Sequence, residues 1–240
     1  MSDHLKRFDA PDSWHIAKKE KKFITKTAPG PHNANAMPVV VWMRDHMGFA
    51  QNLKEVKQIL RQGDLVVNGR TCRDPSMGIG IFDIISIPKI GKYYRILRDK
   101  KGRHKTIEID AEAARTRLCK IRNKTIVSGG RVQLNMRDGA NVLADNKYKP
   151  HDSVVLSLEE GSRFTIVDHF PFAVGNMAMV IGGRHSGRIA RIAAIERIPG
   201  SIPNRVTLED DSQVKFDTID SYIYMVGRET PALTVWGIEE

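Results

Sequence analysis

The residues best placed to do chemistry in this chain are cations. Between residues 89 and 105 stand Lys89, Lys92, Arg95, Arg98, Lys100, Lys101, Arg103 and Lys105. Ammonium and guanidinium groups repeated every one to three residues suit a polyanion, because each phosphate they neutralise releases condensed counterions. Tyr93 and Tyr94 within this stretch either stack on bases or form a buried pair. A second group is the glycine loop Gly182-Gly183-Arg184-His185-Ser186-Gly187-Arg188, with Arg191 just beyond it. Gly182 and Gly187 have the spacing of a phosphate-binding loop, yet Arg188-Ile189 stands where a Lys followed by Ser or Thr would reach the phosphates and magnesium, so nucleotide binding is not expected. A third group, Lys18, Lys19, Lys21 and Lys22, is interleaved with Phe8, Trp14 and Phe23, which could stack on bases.

Other chemistries lack their residues. Cys72 and Cys119 are far apart, without the paired spacing that gathers four soft ligands round zinc, and are read as reduced core thiols. The eight histidines are scattered, with no pair flanking a glutamate at helical spacing. Asp83 and Asp168 fall in β context without neighbours that would make a catalytic carboxylate, and no Ser, His and Asp arrangement suggests an activated nucleophile. The expectation is no enzyme, no metal, no cofactor and no small-molecule substrate.

Charge is uneven along the chain. The 38 Lys and Arg exceed the 28 Asp and Glu by ten, and residues 86–137 alone hold fifteen basic and four acidic side chains. An evenly solvated surface would not concentrate its excess in a fifth of the chain, so one face is expected to meet phosphate. Residues 205–240 are acidic, with Glu209, Asp210, Asp211, Asp217 and Asp220, and should face away from RNA or toward a basic protein neighbour. No stretch approaches the roughly 18 apolar residues of a bilayer span, and the N-terminus lacks the apolar run of a secretory signal, so no membrane partner and a cytoplasmic location are expected.

The elements that must carry these groups read as α+β, mainly β. Residues 1–38 hold Pro11, Pro29, Pro31 and Pro38 and little periodicity, the mark of an extended basic arm with few internal contacts. Residues 39–105 read as a small helix-hairpin module. A short helix from Val39 ends near Gly48. A second begins at Asn52 as N-cap, buries Leu53, Val56, Ile59 and Leu60, exposes Lys54, Lys57 and Arg61, and ends at Gly63. Asn68-Gly69 then turns a hairpin that displays Arg70 and Arg73, with Arg44 on the first helix as a further candidate. In residues 106–171, a central β-rich domain, a helix from Asp110 through Lys120 precedes strands at Arg131–Leu134 and Ser153–Leu156. Residues 172–240 form a third β module, with strands at Val180-Ile181, Ile189–Ile195, Val206–Leu208 and Tyr222–Val226.

Several of these segments resemble known families. The helix pair and hairpin, through Leu53, Glu55, Ile59, Val66, Val67, Asn68, Gly69 and Arg70, resemble the RNA-binding module of bacterial small-subunit ribosomal protein four, pseudouridine synthases and tyrosyl-tRNA synthetases. Val180 to Ile192 resembles the KOW motif, although Ala190 stands where a second glycine is common. That likeness makes a KOW-type β-barrel domain the expected C-terminal module and Arg184, His185, Arg188 and Arg191 its contact candidates. Over nearly its whole length the chain is similar to the archaeal and eukaryotic-type small-subunit ribosomal protein four family. The landmarks are His4-Leu5-Lys6-Arg7, Pro11, Trp14, Pro29-Gly30-Pro31-His32, Val67-Asn68-Gly69-Arg70, residues 80–87, Tyr94-Arg95, residues 99–103, Gln133-Leu134-Asn135 and Asp138-Gly139. The resemblance implies a structural component that binds small-subunit ribosomal RNA as a monomer among neighbouring ribosomal proteins. An RNA-modifying enzyme using the helix-hairpin module as an appendage is the alternative, and a transcription-elongation factor a third reading resting on the KOW-like segment alone.

Overall fold

The computed structural model describes residues 4–32 and 36–228, in two compact units: Met1–Leu97 with Arg103–Ala114, and Arg98–Gly102 with Arg115–Glu240. The end of the acidic C-terminal segment, residues 229–240, lies outside the described residues. The fold is α+β and mainly β.

In the first unit, prolines leave residues 4–32 with little regular structure beyond β1 (Leu5–Lys6) paired antiparallel to β2 (Phe23–Ile24). The expectation of an arm with few internal contacts is nevertheless corrected. Trp14 is 2% exposed and donates from Nε1 to the Ala36 carbonyl at 3.0 Å. Ala10, Trp14 and Ile24 share one core with the helices that follow. Arg7, equally buried, donates from Nη2 to Asp45 Oδ1 at 3.2 Å and Glu20 Oε2 at 3.3 Å. Periodicity could not reveal this anchoring, because single side chains rather than a helical or strand face do the burying.

β3 (Met37–Pro38) leads into α1 (Val39–Val41), which continues into a wider turn, Trp42–His46, where the Met47 N–H donates to the Trp42 carbonyl five residues back. α2 (Leu53–Gln62) starts at Asn52, whose Oδ1 accepts from the Glu55 N–H at 3.0 Å, while Glu55 Oε2 accepts from the Gln51 N–H at 2.7 Å. Asn52 thus satisfies one of the donors that a helix start leaves unpaired, and the Glu55 side chain reaches back past the cap to hold the residue before it. Val56 and Leu60 are fully buried and Ile59 packs against the same core, but Leu53, expected in that stripe, is exposed in the first turn. Gly63, at φ 80°, ends the helix in the left-handed conformation. β4 (Val66–Val67) and β5 (Arg70–Thr71) form the hairpin; Asn68 and Gly69 both have positive φ, as its two-residue turn requires. β6 (Gly78–Ile79) pairs with β3, and β7 (Ile84–Ile87), β8 (Lys92–Arg98) and β9 (His104–Ile109) complete a sheet ordered β5-β4-β7-β8-β9.

Three sequence landmarks meet at Asp83, which is 1% exposed. Its carboxylate pairs with His32 Nε2 at 2.8 Å and accepts from Asn68 Nδ2 and the Gly80 N–H, each at 2.9 Å. Asn68 Oδ1 in turn accepts from the Ile84 N–H. A buried carboxylate supplied with donors in this way organises backbone.

The second unit begins its β structure with β10 (Thr116–Val127). The helix expected from Asp110 through Lys120 is corrected: only the 3-10 turn Ala113–Arg115 precedes a twelve-residue strand. Helix-forming residues such as Ala111, Glu112 and Ala114 reach only this turn, because from Thr116 onward the chain is committed to β10, which pairs with two partners along its length. These are β11 (Arg131–Met136) and β13 (Ser153–Ser157), and with β12 (Asn141–Ala144) and β14 (Ile166–Phe170) they make an antiparallel sheet ordered β12-β11-β10-β13-β14. Its core holds Cys119, Ile121, Leu134, Met136, Tyr148, Val154 and Leu156. A second sheet contains β15 (Met177–Val180), β16 (Ile189–Glu196), β17 (Arg205–Glu209), β18 (Lys215–Ile219) and β19 (Ile223–Met225), ordered β18-β17-β16-β15-β19. Besides β10, the strands β12, β14 and β18 go beyond the sequence expectation.

Candidate RNA-binding surfaces

In the first unit, α2 presents Lys54, Lys57 and Arg61 on one exposed stripe while Val56 and Leu60 are buried behind it. Arg70 on β5 and Arg73 just past it are exposed. Arg44 is partly covered and lies against Asp45 at 2.7 Å. Lys89 pairs with Asp64 at 3.4 Å and Lys92 with Glu108 at 3.2 Å. Surface pairs of this kind are weak, so a phosphate can displace the carboxylate. The Lys92–Glu108 hydrogen bond raises the Lys92 pKa, so this cation is fully charged at neutral pH. Lys105 is exposed and Arg103 half-buried.

Along the N-terminal segment Lys19, Lys21 and Lys22 are exposed, with Lys22 Nζ 5.3 Å from the Phe23 ring centre, while Lys18 is half-buried and paired with Asp12. Phe8 and Phe23 stay exposed, but Trp14 is committed to the core and cannot stack on RNA.

Arg95 is a correction to the expected set. It lies on β8 with no exposed surface, and its Nη2 donates to the Ala113 carbonyl at 2.9 Å. Burial pushes its pKa down to about 10. No phosphate reaches it without opening the sheet. Tyr94 is buried as well, packed edge-on to Trp42 at 5.8 Å, so the interior role holds for this tyrosine.

The second unit brings together two groups far apart in sequence. Residues 98–102 make a turn in which the Gly102 N–H donates to the Asp99 carbonyl at 3.0 Å and the Lys101 N–H to Asp99 Oδ1 at 2.9 Å. Gly187, at φ 78°, sits directly against this turn: a Cβ there would collide with the Asp99 carbonyl and come within 2.8 Å of the Lys100 nitrogen. Gly102 likewise lies beside Ser186. Exposed Lys100 and Lys101 therefore share a surface with the loop that carries exposed Arg184 and Arg188. His185 is half-buried, its ring 4.5 Å from that of Phe216, which also lies under the Arg188 guanidinium at 5.6 Å. Arg191 is exposed on β16. Arg98 is half-buried, and burial together with nearby Arg137 lowers its pKa.

Sequence reasoning misses Arg122 and Arg131, exposed cations on β10 and β11. The available signal is the absence of any acidic residue between Glu112 and Asp138.

No group of three His, Cys, Asp or Glu among the described residues is placed to hold a metal ion. An open groove of about 620 Å³ between Asn141–Asp145 and Arg163–Ile166 has Asp145, Tyr148 and Arg163 as its ionisable lining. Cys72 is buried, and burial raises its thiol to about 11, which leaves it protonated and unreactive at neutral pH.

Comparison with known proteins agrees with this geometry. A model of ribosomal family S4e matches residues 90–163, and one of the RS4NT (NUC023) domain matches residues 1–35. Small ribosomal subunit protein eS4 of Methanospirillum hungatei is 63% identical over 100% of both chains. That of Archaeoglobus fulgidus is 41% identical, covering 94% of each. The crystal structure of 30S ribosomal protein S4e from Thermoplasma acidophilum aligns with a TM-score of 0.68 at 26% identity, covering 81% of this chain and 96% of that one. Exposed cations dispersed over small β modules accompany a similarity that runs the full length of the chain, and the chain belongs to the S4e family, a family of ribosomal proteins and not of enzymes.

Proposed function

We propose that the chain is a structural constituent of the small ribosomal subunit in the cytoplasm, where it binds small-subunit ribosomal RNA through several cationic surfaces and stabilises the folded RNA. The observation that carries this reading is the convergence of Lys100 and Lys101 with Arg184 and Arg188 across the Gly187 contact. Charges from two sequence-distant segments, gathered on one surface of a ribosomal protein, favour a phosphate-bearing partner. The α2 stripe and the Asn68-Gly69 hairpin of residues 39–105 supply a second surface, and the glycine loop acts as the RNA-contacting part of a KOW-type module in residues 172–240. Exposed Asp211 and Asp217, with half-buried Asp210, suit a basic neighbouring protein, whereas Asp220 is buried and accepts from Asn204 Nδ2 at 2.8 Å.

The test is the salt dependence of binding to small-subunit ribosomal RNA. Replacing Lys100, Lys101, Arg184 and Arg188 with Ser lowers the slope of log affinity against log salt by about three to four, the value for four phosphates no longer neutralised. An unchanged slope overturns the reading of this surface.

A further inference from the structure

Part of the second unit carries an array that phosphate capture does not explain. On the outer face of the β10–β11 hairpin, Asn123 stands directly opposite Asn135, and Thr125 opposite Gln133. A bulge between Ile121 and Asn123 sets this register. It places the opposite face of the ladder, Leu134 with Lys124, toward the core side, where Leu134 is fully buried. The four polar side chains form a connected patch. Asn135 Nδ2 donates to Asn123 Oδ1 at 2.8 Å and to Thr125 Oγ1 at 2.7 Å, and Gln133 Nε2 donates to Asn135 Oδ1 at 2.7 Å.

These bonds fix the side chains and leave defined capacity unused. Asn123 keeps its amide donors, Thr125 its hydroxyl proton, and Gln133 its carbonyl oxygen. Two donor groups and an acceptor held on this two-stranded surface complement groups that both donate and accept. Exposed Arg122 and Arg131 flank the patch, and neither side chain has a hydrogen-bond or ion-pair partner among the described residues. From Ala113 to Arg137 the chain contains seven basic residues and no acidic one. At the hairpin tip Gly129 and Gly130 both have positive φ, and a Cβ added at either would meet nothing within 4 Å, so the tip projects freely.

We infer that the outer face of this hairpin is an RNA-reading surface that docks into the wide, shallow minor groove of an A-form helix. Asn123, Thr125 and Gln133 meet ribose 2′-hydroxyls there, while Arg122 and Arg131 meet the bordering phosphates. A-form RNA displays its 2′-hydroxyls in that groove, and a hydroxyl that donates and accepts is the group the unused amide and hydroxyl capacity fits. The acid-free charge of the segment favours RNA over a protein partner. This inference rests on the proposed function and refines it, because it assigns discrimination of RNA from DNA to a surface distinct from the Lys100–Arg188 cluster.

Two variants of the full chain separate the parts: Arg122→Ser with Arg131→Ser, and Asn123→Ala with Thr125→Val and Gln133→Ala. Each is measured against small-subunit ribosomal RNA across salt, and against an RNA duplex and a DNA duplex of the same sequence. The arginine variant is expected to lower the salt slope by about two. The amide variant is expected to keep the slope and lose several-fold of the preference for the RNA duplex. Unchanged slope and unchanged preference overturn the inference, as does a Ser128→Cys photo-crosslink that captures protein and no RNA in assembled small subunits. All substituted residues are exposed or half-buried, so the variants are expected to fold, and thermal melting checks that they do. If the hairpin variants bind like the parent while the Lys100–Arg188 variant loses its slope, the hairpin inference alone fails. If none of them changes, the proposed function fails with it.

Discussion

At the scale of single residues, the buried polar groups are more informative than the exposed cations. Lys120, 3% exposed on β10, donates from Nζ to the Asp220 carbonyl at 2.6 Å and the Ile223 carbonyl at 2.8 Å. Arg137 donates to the Ser221 carbonyl between them. Two basic side chains thus satisfy carbonyls of the turn that introduces β19 and of the first residue of that strand. Burial first, and then the nearby Arg137 charge, push the Lys120 pKa down to about 7, against the partial opposition of Asp220. Burial likewise lowers the neighbouring His151, with Lys120 adding to the effect. The linkage sign follows from the depressed amine. Between pH 7 and the ordinary value of 10.5 the unfolded chain binds more protons at this position than the folded one, so this group makes stability rise with pH across that window. Below pH 7 the amine is charged in both states and its contribution is flat. Urea unfolding from about pH 6.5 to 9.5 should show the rise, and Lys120→Met should abolish most of it; an identical pH profile in the variant would show that the amine is already charged when buried.

At the scale of elements, the legible parts are those written in local signals. Asn52, Gly63 and the Asn68-Gly69 pair each act within a few residues, and the structure uses all of them as caps or turns. The start of β10 resembles helix up to Lys120 because its strand identity comes from partners that follow it by many residues, Arg131–Met136 and Ser153–Ser157. Candidate cations are legible individually, from composition. Their grouping is not, since Lys100 meets the 184–188 loop only through the close approach of Gly187 to the Asp99–Lys100 backbone. That approach makes its own prediction. Gly187→Ala introduces a side chain at positive φ and against backbone that cannot rotate away, at a cost of about 1–3 kcal/mol. The variant should lower the urea midpoint and weaken ribosomal RNA binding at moderate salt, although no charge is removed. Wild-type affinity in a destabilised variant would mean that the two basic segments bind RNA independently of their contact.

At the scale of the whole molecule, the described surfaces lie on two units, and their joint action has a measurable signature whatever the arrangement of the units. The α2 stripe of Lys54, Lys57 and Arg61 belongs to the first unit, and Lys100, Lys101, Arg184 and Arg188 to the second. When one chain holds its partner by two surfaces at once, engagement of the first raises the effective concentration of the second, and the free energies add. Substituting either set with Ser then weakens ribosomal RNA binding by its own factor, the salt slope falls by about 0.9 for each phosphate no longer held, and the combined variant loses the product of the two factors. Surfaces that serve as alternatives behave differently: each single variant binds almost as the parent does, and only the combined variant collapses. Affinity and slope for the parent, two partial variants and the combined variant, measured on one RNA at matched salt, decide between these outcomes. Multiplicative losses are expected, because a chain whose cations are spread over separate modules gains tight and specific attachment to folded RNA only when those modules are engaged together.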